Sequence, residues 1–249
     1  MREITSTQNP QVKAWKKLHT RKGRKQLGCF VLEGEHLVEE ALKANIALEA
    51  LLYLPEVTPP SQMDDDLLVQ VSSEVMSAIS ETQSPQGIAA ICRDPQWEEV
   101  LPEGNRFLLL DRVQDPGNLG TLIRTADAVG VDAVILGEGC ADPYSAKVLR
   151  SGQGSHFHLP LIHMAMSTAI EKLKSRNISV FGSALEGGRN FREVPAPEQF
   201  GLIMGNEGQG IEAEILSQTD LNLYVPIHGQ SESLNVAIAA AILLYHLRG

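Results

Sequence analysis

The fold is decided by the stretch Val225-Pro-Ile-His-Gly-Gln-Ser-Glu-Ser-Leu-Asn-Val-Ala-Ile-Ala-Ala-Ala-Ile242. It joins an apolar strand, predicted over residues 221–227, to a strongly apolar helix, predicted over residues 233–248. Ser233 stands where a helix cap is expected, because its hydroxyl can accept a hydrogen bond from the first turn. Asn235 interrupts the apolar run, and a buried carboxamide costs free energy unless it forms hydrogen bonds. We therefore expect Asn235 to bind backbone, a ligand or a substrate.

The same alternation of strand, loop and helix runs back from this stretch to residue 106. Residues 107–111 form a continuous apolar run, as in a strand that is covered on both faces of a sheet. Repeated βα units predict a mostly parallel α/β sheet, in which ligands bind beyond the carboxyl ends of the strands. The predicted strands are 107–111, 133–136, 157–162, 179–184, 201–204 and 221–227. The predicted helices are 117–129, 143–151 (with Asp142 as N-cap and Pro143 in the first position), 167–176, 211–218 and 233–248.

Residues 1–93 show a second, smaller α/β pattern that begins with a basic arm. Strands are predicted at 29–32, 48–54, 67–71 and 87–92, with helices at 36–44 and 73–79. The segment 94–105 is rich in proline and charged residues and is predicted to be a linker. The sequence therefore predicts a small α/β domain over 1–93 and a parallel-sheet domain over 106–249.

The charge of the chain is divided unevenly between the arm and the rest. The 249 residues carry a formal net charge of −10, yet residues 1–30 contain eight lysines and arginines and a single acidic residue. A localised basic patch is the electrostatic footprint expected of a nucleic-acid partner. A solvated basic helix explains the charge alone equally well. The candidate residues for binding RNA or DNA are Lys13, Lys16, Lys17, Arg21, Lys22, Arg24 and Lys25.

Composition and motifs argue against membrane, secreted and metal-binding proteins. No apolar run reaches the length of a membrane span, and the polar N-terminus lacks a signal peptide. The three cysteines form no CxxC pair, which fits a reducing cytoplasm. Strand alternation would place His156 and His158 on one face, near His163, but no further ligand completes a metal site. His228 is not accompanied by a GxSxG motif, which argues against a serine hydrolase. We therefore expect a cytoplasmic protein with no membrane partner and no metal.

Three loops at predicted strand ends carry polar residues and glycines, and they span 111–124, 205–210 and 228–235. Their glycines form neither a P-loop nor a dinucleotide fingerprint, since 205–210 lacks the Lys-Ser/Thr pair and no GxGxxG follows a strand. Tight turns explain the glycines taken alone. Asn118 and Arg124 differ by about 240° around a helix. They can reach one site only if the loop folds Asn118 over.

Three motifs in these loops resemble, in order, those of the SpoU (TrmH) RNA 2′-O-ribose methyltransferases. They are Asp115-Pro-Gly-Asn-Leu-Gly-Thr-Leu-Ile-Arg-Thr-Ala126, Met204-Gly-Asn-Glu-Gly-Gln-Gly-Ile211, and Val225-Pro-Ile227 with Ser233-Leu-Asn-Val236. Each motif alone is weak evidence, but their combination over residues 105–249 is specific. The first half resembles the family's substrate-binding domain less specifically, through Ile4-Thr-Ser-Thr-Gln-Asn-Pro10, Phe30-Val-Leu-Glu-Gly-Glu35 and Gln86-Gly-Ile-Ala-Ala90. Ala237 departs from the family pattern, because many members have serine there.

This resemblance implies an α/β SPOUT fold whose C-terminal chain threads a loop to form a trefoil knot, an exception to unknotted chains. It implies S-adenosylmethionine as methyl donor, a ribose 2′-hydroxyl of structured RNA as acceptor, with rRNA favoured over tRNA, and a homodimer. The implied catalytic residues are Asn118, Arg124, Glu207, Ser233 and Asn235. The implied cofactor-binding residues are Ser183, Ala184, Gly205, Asn206, Gly208, Val225, Ile227, Ser233 and Leu234.

Roles for these residues follow from the resemblance and from side-chain chemistry. We expect Arg124 to hold the target phosphate and polarise the 2′-oxygen, because a guanidinium stays protonated and is a poor base. Glu207 is expected to hold Asn118 or Arg124 in place, and Ile227 and Leu234 to flank the adenine. Two alternatives remain open: an RNA-binding protein of the same fold that has lost catalysis, and a base methyltransferase with the same knot.

Overall fold

The computed structural model describes residues 2–60, 63–95 and 100–249. It divides into two compact units, Met1–Gln96 with Tyr144–Phe157, and Trp97–Pro143 with His158–Gly249. Residues 96–99 of the predicted linker lie outside the described residues. The division at 1–93, 94–105 and 106–249 stays a prediction, and the structure adds that the segment Tyr144–Phe157 belongs to the first unit.

The first unit contains a five-stranded sheet that separates two apolar cores. Its strands are β1 Arg2–Ile4, β2 Cys29–Glu33, β3 Leu48–Tyr53, β4 Leu68–Val71 and β5 Ile88–Arg93, in the spatial order β1-β4-β3-β5-β2. The helices are α1 Pro10–Lys16, α2 Arg21–Leu27, α3 Glu35–Lys43 and α4 Ser73–Ile79. Because side chains alternate across a strand, Phe30 and Leu32 enter one core and Val31 enters the other. The small α/β pattern predicted for this part of the chain is therefore present, with the basic arm folded into α1 and α2.

The second unit contains a seven-stranded sheet in which every strand pair is parallel. Its strands are β6 Arg106–Leu110, β7 Ala133–Leu136, β8 Leu161–His163, β9 Ser179–Ser183, β10 Arg189–Asn190, β11 Phe200–Met204 and β12 Leu221–Tyr224. Their order is β10-β12-β9-β11-β6-β7-β8. The apolar run 107–111, predicted to be covered on both faces, forms the central strand β6, and β6 and its neighbour β11 are buried almost throughout. The prediction of a parallel α/β sheet is confirmed.

The helices of the second unit are α5 Pro116–Val129, α7 Met166–Ser175, α8 Ala213–Leu216 and α9 Val236–Arg248. Of these, α5 and α7 begin one residue before their predicted starts, whereas α8 is a single short turn inside the predicted 211–218. Among the residues that the structure describes, no helix is long and apolar enough to cross a membrane.

The start of α9 differs from its prediction. Its N-cap is Asn235, whose Oδ1 accepts hydrogen bonds from the amides of Ala237 at 2.9 Å and Ile238 at 3.3 Å. Ser233 is therefore not the cap, and Asn235 is exposed rather than buried. Both residue types cap helices well, so the sequence alone did not distinguish them. The preceding strand β12 ends at Tyr224, three residues before its predicted end.

Two predicted elements around residue 150 are wrong in their bounds. The helix predicted over 143–151 is α6 Ala146–Gly152, with Ser145 rather than Asp142 at the N-cap. The strand predicted over 157–162 is only β8 Leu161–His163, because Phe157 instead ends a 3₁₀ turn. Phe157 packs in the core of the first unit, where its ring centroid lies 6.4 Å from that of Phe30. Because Phe157 is apolar, the sequence pattern predicts it as the first residue of the strand, but its side chain is buried in the core of the first unit.

The histidines in this region also differ from the strand interpretation. His156 lies buried in the 3₁₀ turn, and the exposed His158 contacts Asp127 through Nδ1 at 2.8 Å. The described residues contain no group of three or more His, Cys, Asp or Glu side chains placed to hold a metal ion. The three cysteines are buried and free.

Candidate active site

Polar loops follow β6, β11 and β12 at the carboxyl edge of the parallel sheet. The Asp111 amide donates to the Met204 carbonyl at 2.9 Å, so the first two loops leave the sheet side by side. The loop after β6 then enters α5, whose N-cap Asp115 accepts a hydrogen bond from the Asn118 amide at 2.9 Å. The cap places the Asn118 side chain in the first turn of α5, at the sheet edge where ligands bind in this class of fold.

A chain of side-chain hydrogen bonds joins residues from all three motifs. Asn235 Nδ2 donates to Asn118 Oδ1 at 2.9 Å, and Asn118 Nδ2 donates to Glu207 Oε1 at 3.1 Å. Since Asn235 Oδ1 already caps α9, its Nδ2 must face Asn118. The direction of the whole chain is therefore set by the helix start, and three of the five predicted catalytic residues lie together.

Glu207 is the acceptor at the end of this chain. Its carboxylate also accepts from the backbone amides of Gln114 at 3.2 Å and Asp115 at 3.0 Å. Partial burial acts to raise the pKa of Glu207, but the hydrogen bonds from Asn118, Asp115 and Gln114 outweigh it and the pKa is lowered. Glu207 is thus an anion at neutral pH, and it contacts Asn118 rather than Arg124.

Arg124 and Ser233 do not join the hydrogen-bond chain. Arg124 is exposed on α5, and it has no hydrogen-bond or ion-pair partner among the described residues. Its position agrees with the large angle expected between it and Asn118 around the helix. Ser233 is exposed, and its backbone carbonyl accepts from Ser231 Oγ at 2.8 Å. Both side chains are accessible to a ligand.

The loop Gly205–Gly210 after β11 is tightly folded. The backbones of Asn206 and Gly210 pair with each other, at 3.0 Å and 2.9 Å. Asn206 Oδ1 accepts from the amides of Gly208 and Gln209, both at 3.0 Å, so this side chain shapes the loop. A Cβ on Gly205 would lie 2.3 Å from the backbone of Gly210 and Ile211, whereas a Cβ on Gly208 would make only an ordinary contact, 3.7 Å from Asn206 Oδ1. The close approach explains why Gly205 is glycine.

The other predicted cofactor residues lie at the ends of β9 and β12. Ser183 ends β9, and the Ala184 amide donates to the Leu223 carbonyl at 3.0 Å. Val225 follows β12 and is half-buried. Ile227 and Leu234 are 38% and 37% exposed, so both present apolar surface in the segment between β12 and α9.

Three residues of this region were not singled out by the sequence. Leu185, directly after Ala184, is 67% exposed and adds another apolar side chain after β9. Asp111 is a buried carboxylate, and Arg112 forms ion pairs with it and with Glu212. The sequence did contain a signal for Asp111 and Arg112. Two charged residues directly after a buried apolar strand are expected to be partly buried, and buried charges are usually paired.

The basic arm of the first unit forms α1, a 3₁₀ turn and α2. Six of its seven candidate cations are exposed: Lys13, Lys16, Lys17, Arg21, Lys22 and Lys25. Arg24 is half-buried, and its Nη1 donates to the Leu18 carbonyl at 2.6 Å. Arg24 thus contributes to the fold of the arm, while the other six present their charge to solvent.

Comparison with protein families identifies the family to which the chain belongs. Residues 105–245 match the SpoU rRNA Methylase family, and residues 9–90 match the MRM3-like substrate binding domain. The chain belongs to the SpoU rRNA methylase family. The matched region contains all three motifs and the hydrogen-bond chain that joins them.

Relatives within the SpoU family cover the chain from end to end. A 23S rRNA (guanosine(2553)-2′-O)-methyltransferase, RlmP, of Bacillus subtilis is 52% identical, with 100% of both chains covered. An uncharacterized tRNA/rRNA methyltransferase of Synechocystis is 38% identical, covering 98% of this chain and 93% of the relative. An AdoMet-bound rRNA methyltransferase from Sinorhizobium meliloti has a solved structure with a TM-score of 0.89 and 32% identity, covering 99% of this chain and 97% of that one.

These similarities confirm the predicted SpoU membership, the SPOUT-type α/β fold and the N-terminal substrate-binding domain. At the level of the family they also confirm an RNA 2′-O-methyltransferase that uses S-adenosylmethionine. The individual site residues remain predictions.

Proposed function

We propose that this SpoU protein methylates the 2′-hydroxyl of a ribose in 23S rRNA, with S-adenosylmethionine as donor. The observation that carries the proposal is the hydrogen-bond chain Asn235–Asn118–Glu207, which brings the three family motifs to one sheet edge. The choice of 23S rRNA rests on the 52% identical Bacillus relative, which acts on that RNA and is covered over its full length. The cytoplasm, where bacterial rRNA is made, is the proposed location.

The residues at the sheet edge fit the proposed cofactor. The loop Gly205–Gly210 offers backbone groups at close range, since Gly208 carries no side chain and only Asn206 Oδ1 lies near its Cβ position, at 3.7 Å. Ile227, Leu234 and Leu185 expose apolar surface after β9 and β12, as a flat adenine ring requires. Ser183, Ala184, Asn206 and Val225 are proposed to complete the pocket through their backbones. S-adenosylmethionine supplies an electrophilic methyl group when it is bound.

The catalytic residues divide into a fixed pair and an accessible arginine. Asn118 and Asn235 are held in one orientation by Glu207 and by the α9 cap. They are proposed to orient the 2′-oxygen and the donor. Arg124 is proposed to bind the target phosphate and polarise the 2′-oxygen, because a protonated guanidinium is suited to a phosphate. Ser233, accessible in the loop before α9, is proposed to contact the donor.

A homodimer is the proposed assembly, and the exposed face of α9 supports it. Ile238 and Tyr245 are 53% and 59% exposed, and Ala241 and Ile242 lie between them on the same face. An apolar stripe that long on a surface helix is typical of a protein interface. We assign a second copy of this chain as its occupant, as the family resemblance implies. The trefoil knot is likewise proposed from that resemblance.

The six exposed cations of the arm are proposed to bind rRNA phosphates. Phosphate contacts release counterions, so the affinity for RNA should fall steeply as salt concentration rises. Replacing Lys13, Lys16 and Lys17 with glutamine should weaken RNA binding and reduce the salt dependence, without changing the affinity for S-adenosylmethionine.

The test of the proposal is direct mapping of the product. The purified protein is incubated with S-adenosylmethionine and a 23S rRNA transcript, and the RNA is then hydrolysed with alkali. A single resistant linkage is expected, because a 2′-O-methyl group blocks backbone cleavage. A transcript with 2′-deoxyribose at that nucleotide should accept no methyl group. Methylation that persists on the deoxy transcript would indicate a base methyltransferase, and S-adenosylmethionine that does not bind would indicate an inactive RNA-binding protein.

A further inference from the structure

Arg112 lies where the loop after β6 meets the loop Gly205–Gly210. It directly follows Asp111, which is 4% exposed, and its own side chain is 24% exposed. Its backbone φ is +55°, in the left-handed region that non-glycine residues seldom adopt. Such a conformation persists only where the surroundings hold it. The contacts of the Arg112 side chain and backbone show what holds it.

The guanidinium has five N–H donors, and it forms four hydrogen bonds and an ion pair with Glu212. Nε and Nη2 contact the two oxygens of Asp111, each at 3.3 Å. Nη1 contacts Glu212 Oε1 at 3.0 Å and Gln209 Oε1 at 3.1 Å. Nη2 also contacts the Gly210 carbonyl at 3.5 Å. A lysine, with three donors on one nitrogen, could not satisfy this planar set.

These contacts hold both ends of the Gly205–Gly210 loop. The side chain of Arg112 contacts Gln209 and Gly210 at the end of the loop, and its carbonyl accepts from Asn206 Nδ2 at 2.9 Å near the start. Asp111 Oδ2 accepts from the Glu212 amide at 3.2 Å, just after the loop. Glu207, between these anchors, reaches the amides of Gln114 and Asp115. Arg112 therefore holds both ends of the Gly205–Gly210 loop against the segment that leads to Asn118.

We propose that Arg112 is a positioning residue that preorganises the Gly205–Gly210 loop for the methyl donor. The proposal rests on the proposed cofactor role of that loop. Arg112 need not touch the donor, because it acts through the loop backbone that does. Its replacement should therefore raise the dissociation constant and the KM for S-adenosylmethionine, while the KM for RNA stays unchanged.

The experiment compares Arg112→Lys with Arg176→Lys in the full-length protein by calorimetry with S-adenosylmethionine. Arg176 is a matched control, since it is a half-buried arginine of the same unit that donates to the carbonyls of Pro102 at 2.7 Å and Leu101 at 3.0 Å. Arg112→Lys loses the bidentate contact with Asp111 and the contacts with the loop. The variant should therefore bind S-adenosylmethionine about tenfold more weakly than the wild type. Arg176→Lys should lower the Tm without changing the affinity.

Arg112→Gly separates the effect of losing the side chain from the effect of the strained backbone conformation. Glycine accepts the positive φ without strain, so this variant should keep much of the stability and still bind S-adenosylmethionine about tenfold more weakly. Wild-type affinity in both Arg112 variants, or an equal loss in Arg176→Lys, would overturn the positioning role. A wild-type protein that does not bind S-adenosylmethionine would instead overturn the proposed function on which the inference rests.

Discussion

Two loops at the same sheet edge are built in opposite ways. The loop Gly205–Gly210 is bonded to itself through Asn206 and to the neighbouring segment through Glu207 and Arg112. In the stretch 227–234, by contrast, a single hydrogen bond joins Ser231 and Ser233 among the described residues. That stretch exposes Ile227 and Leu234 instead. The first loop is thus polar and preorganised, whereas the stretch 227–234 presents apolar side chains that would gain contacts from a ligand.

This difference assigns separate tasks to the two loops. Preorganised polar groups lose little entropy on binding and fix orientation, which is the requirement for methyl transfer to one oxygen. Exposed apolar side chains contribute free energy when they are covered, and they tolerate small shifts. We expect substitutions in the first loop to damage geometry and those in the second to weaken affinity.

The largest effect is expected from a methyl group added to the rigid loop. In Gly205→Ala the new Cβ would lie 2.3 Å from the Gly210 and Ile211 backbone, so the loop must shift. The cost should be about 1–3 kcal/mol of stability, with loss of most S-adenosylmethionine binding. Gly229→Ala is the matched control in the other loop, because no atom lies within 4 Å of its Cβ position. Equal effects of the two substitutions, by thermal unfolding and calorimetry, would contradict the difference between the loops.

Next in size is the loss of the proposed phosphate clamp. Arg124→Ala should lower kcat by about 10²-fold, since Arg124 is proposed to stabilise charge that develops on the 2′-oxygen. Because Arg124 is exposed and has no partner among the described residues, the Tm should stay close to that of the wild type. A large fall in Tm would show that Arg124 serves the fold, and unchanged kcat with weaker RNA binding would restrict it to binding.

Substitutions of Asn235 test the hydrogen-bond chain that connects the end of the stretch 227–234, through Asn118, to Glu207. Asn235→Ala removes the α9 cap, at about 1 kcal/mol, and the bond to Asn118. Asn235→Asp keeps a capping oxygen but replaces the Nδ2 donor with a second acceptor facing Asn118 Oδ1. If the hydrogen-bond chain positions reacting groups, Asn235→Asp should retain stability and lose kcat by about tenfold. Recovery of wild-type kcat in Asn235→Asp would restrict Asn235 to its capping role.

A pH dependence should follow from Glu207. Because its pKa is lowered in the folded state, its contribution to stability is present above the pKa of the unfolded state and is lost as pH falls through the folded value. Acidification below about pH 4 should therefore destabilise the wild type more than Glu207→Gln. Denaturant unfolding across this pH range measures the difference in the free energy of unfolding. If the wild type and Glu207→Gln gave parallel pH profiles, the Glu207 carboxylate would not anchor the hydrogen-bond chain Asn235–Asn118–Glu207.

The smallest effect is expected from the exposed apolar side chains of Ile227 and Leu234 in the stretch 227–234. Ile227→Ala and Leu234→Ala should leave the Tm nearly unchanged, since both side chains are already more than one-third exposed. Each should weaken S-adenosylmethionine binding by about three- to tenfold, according to the apolar area covered. A marked loss of stability in either variant would mean that the residue supports the fold rather than the pocket.

The sequence predicted the parallel sheet and the three polar loops because apolar runs and strand-end glycines report on burial and turns. It did not distinguish Ser233 from Asn235 as the cap of α9, since both side chains can accept amide hydrogen bonds. It also misplaced the strand near Phe157, whose apolar side chain belongs to the core of the first unit. The partners of Glu207 and Arg112 depend on contacts between residues about ninety positions apart, which no local pattern contains.

Hydrogen exchange with and without S-adenosylmethionine tests the contrast between the two loops most directly. In the free protein, the amides of Gly208, Gln209 and Gly210 should already be protected, and those of 227–234 should exchange quickly. Addition of S-adenosylmethionine should protect 227–234 and change 206–210 little. Fast exchange of the Gly205–Gly210 loop that slows only when the donor binds would contradict the account.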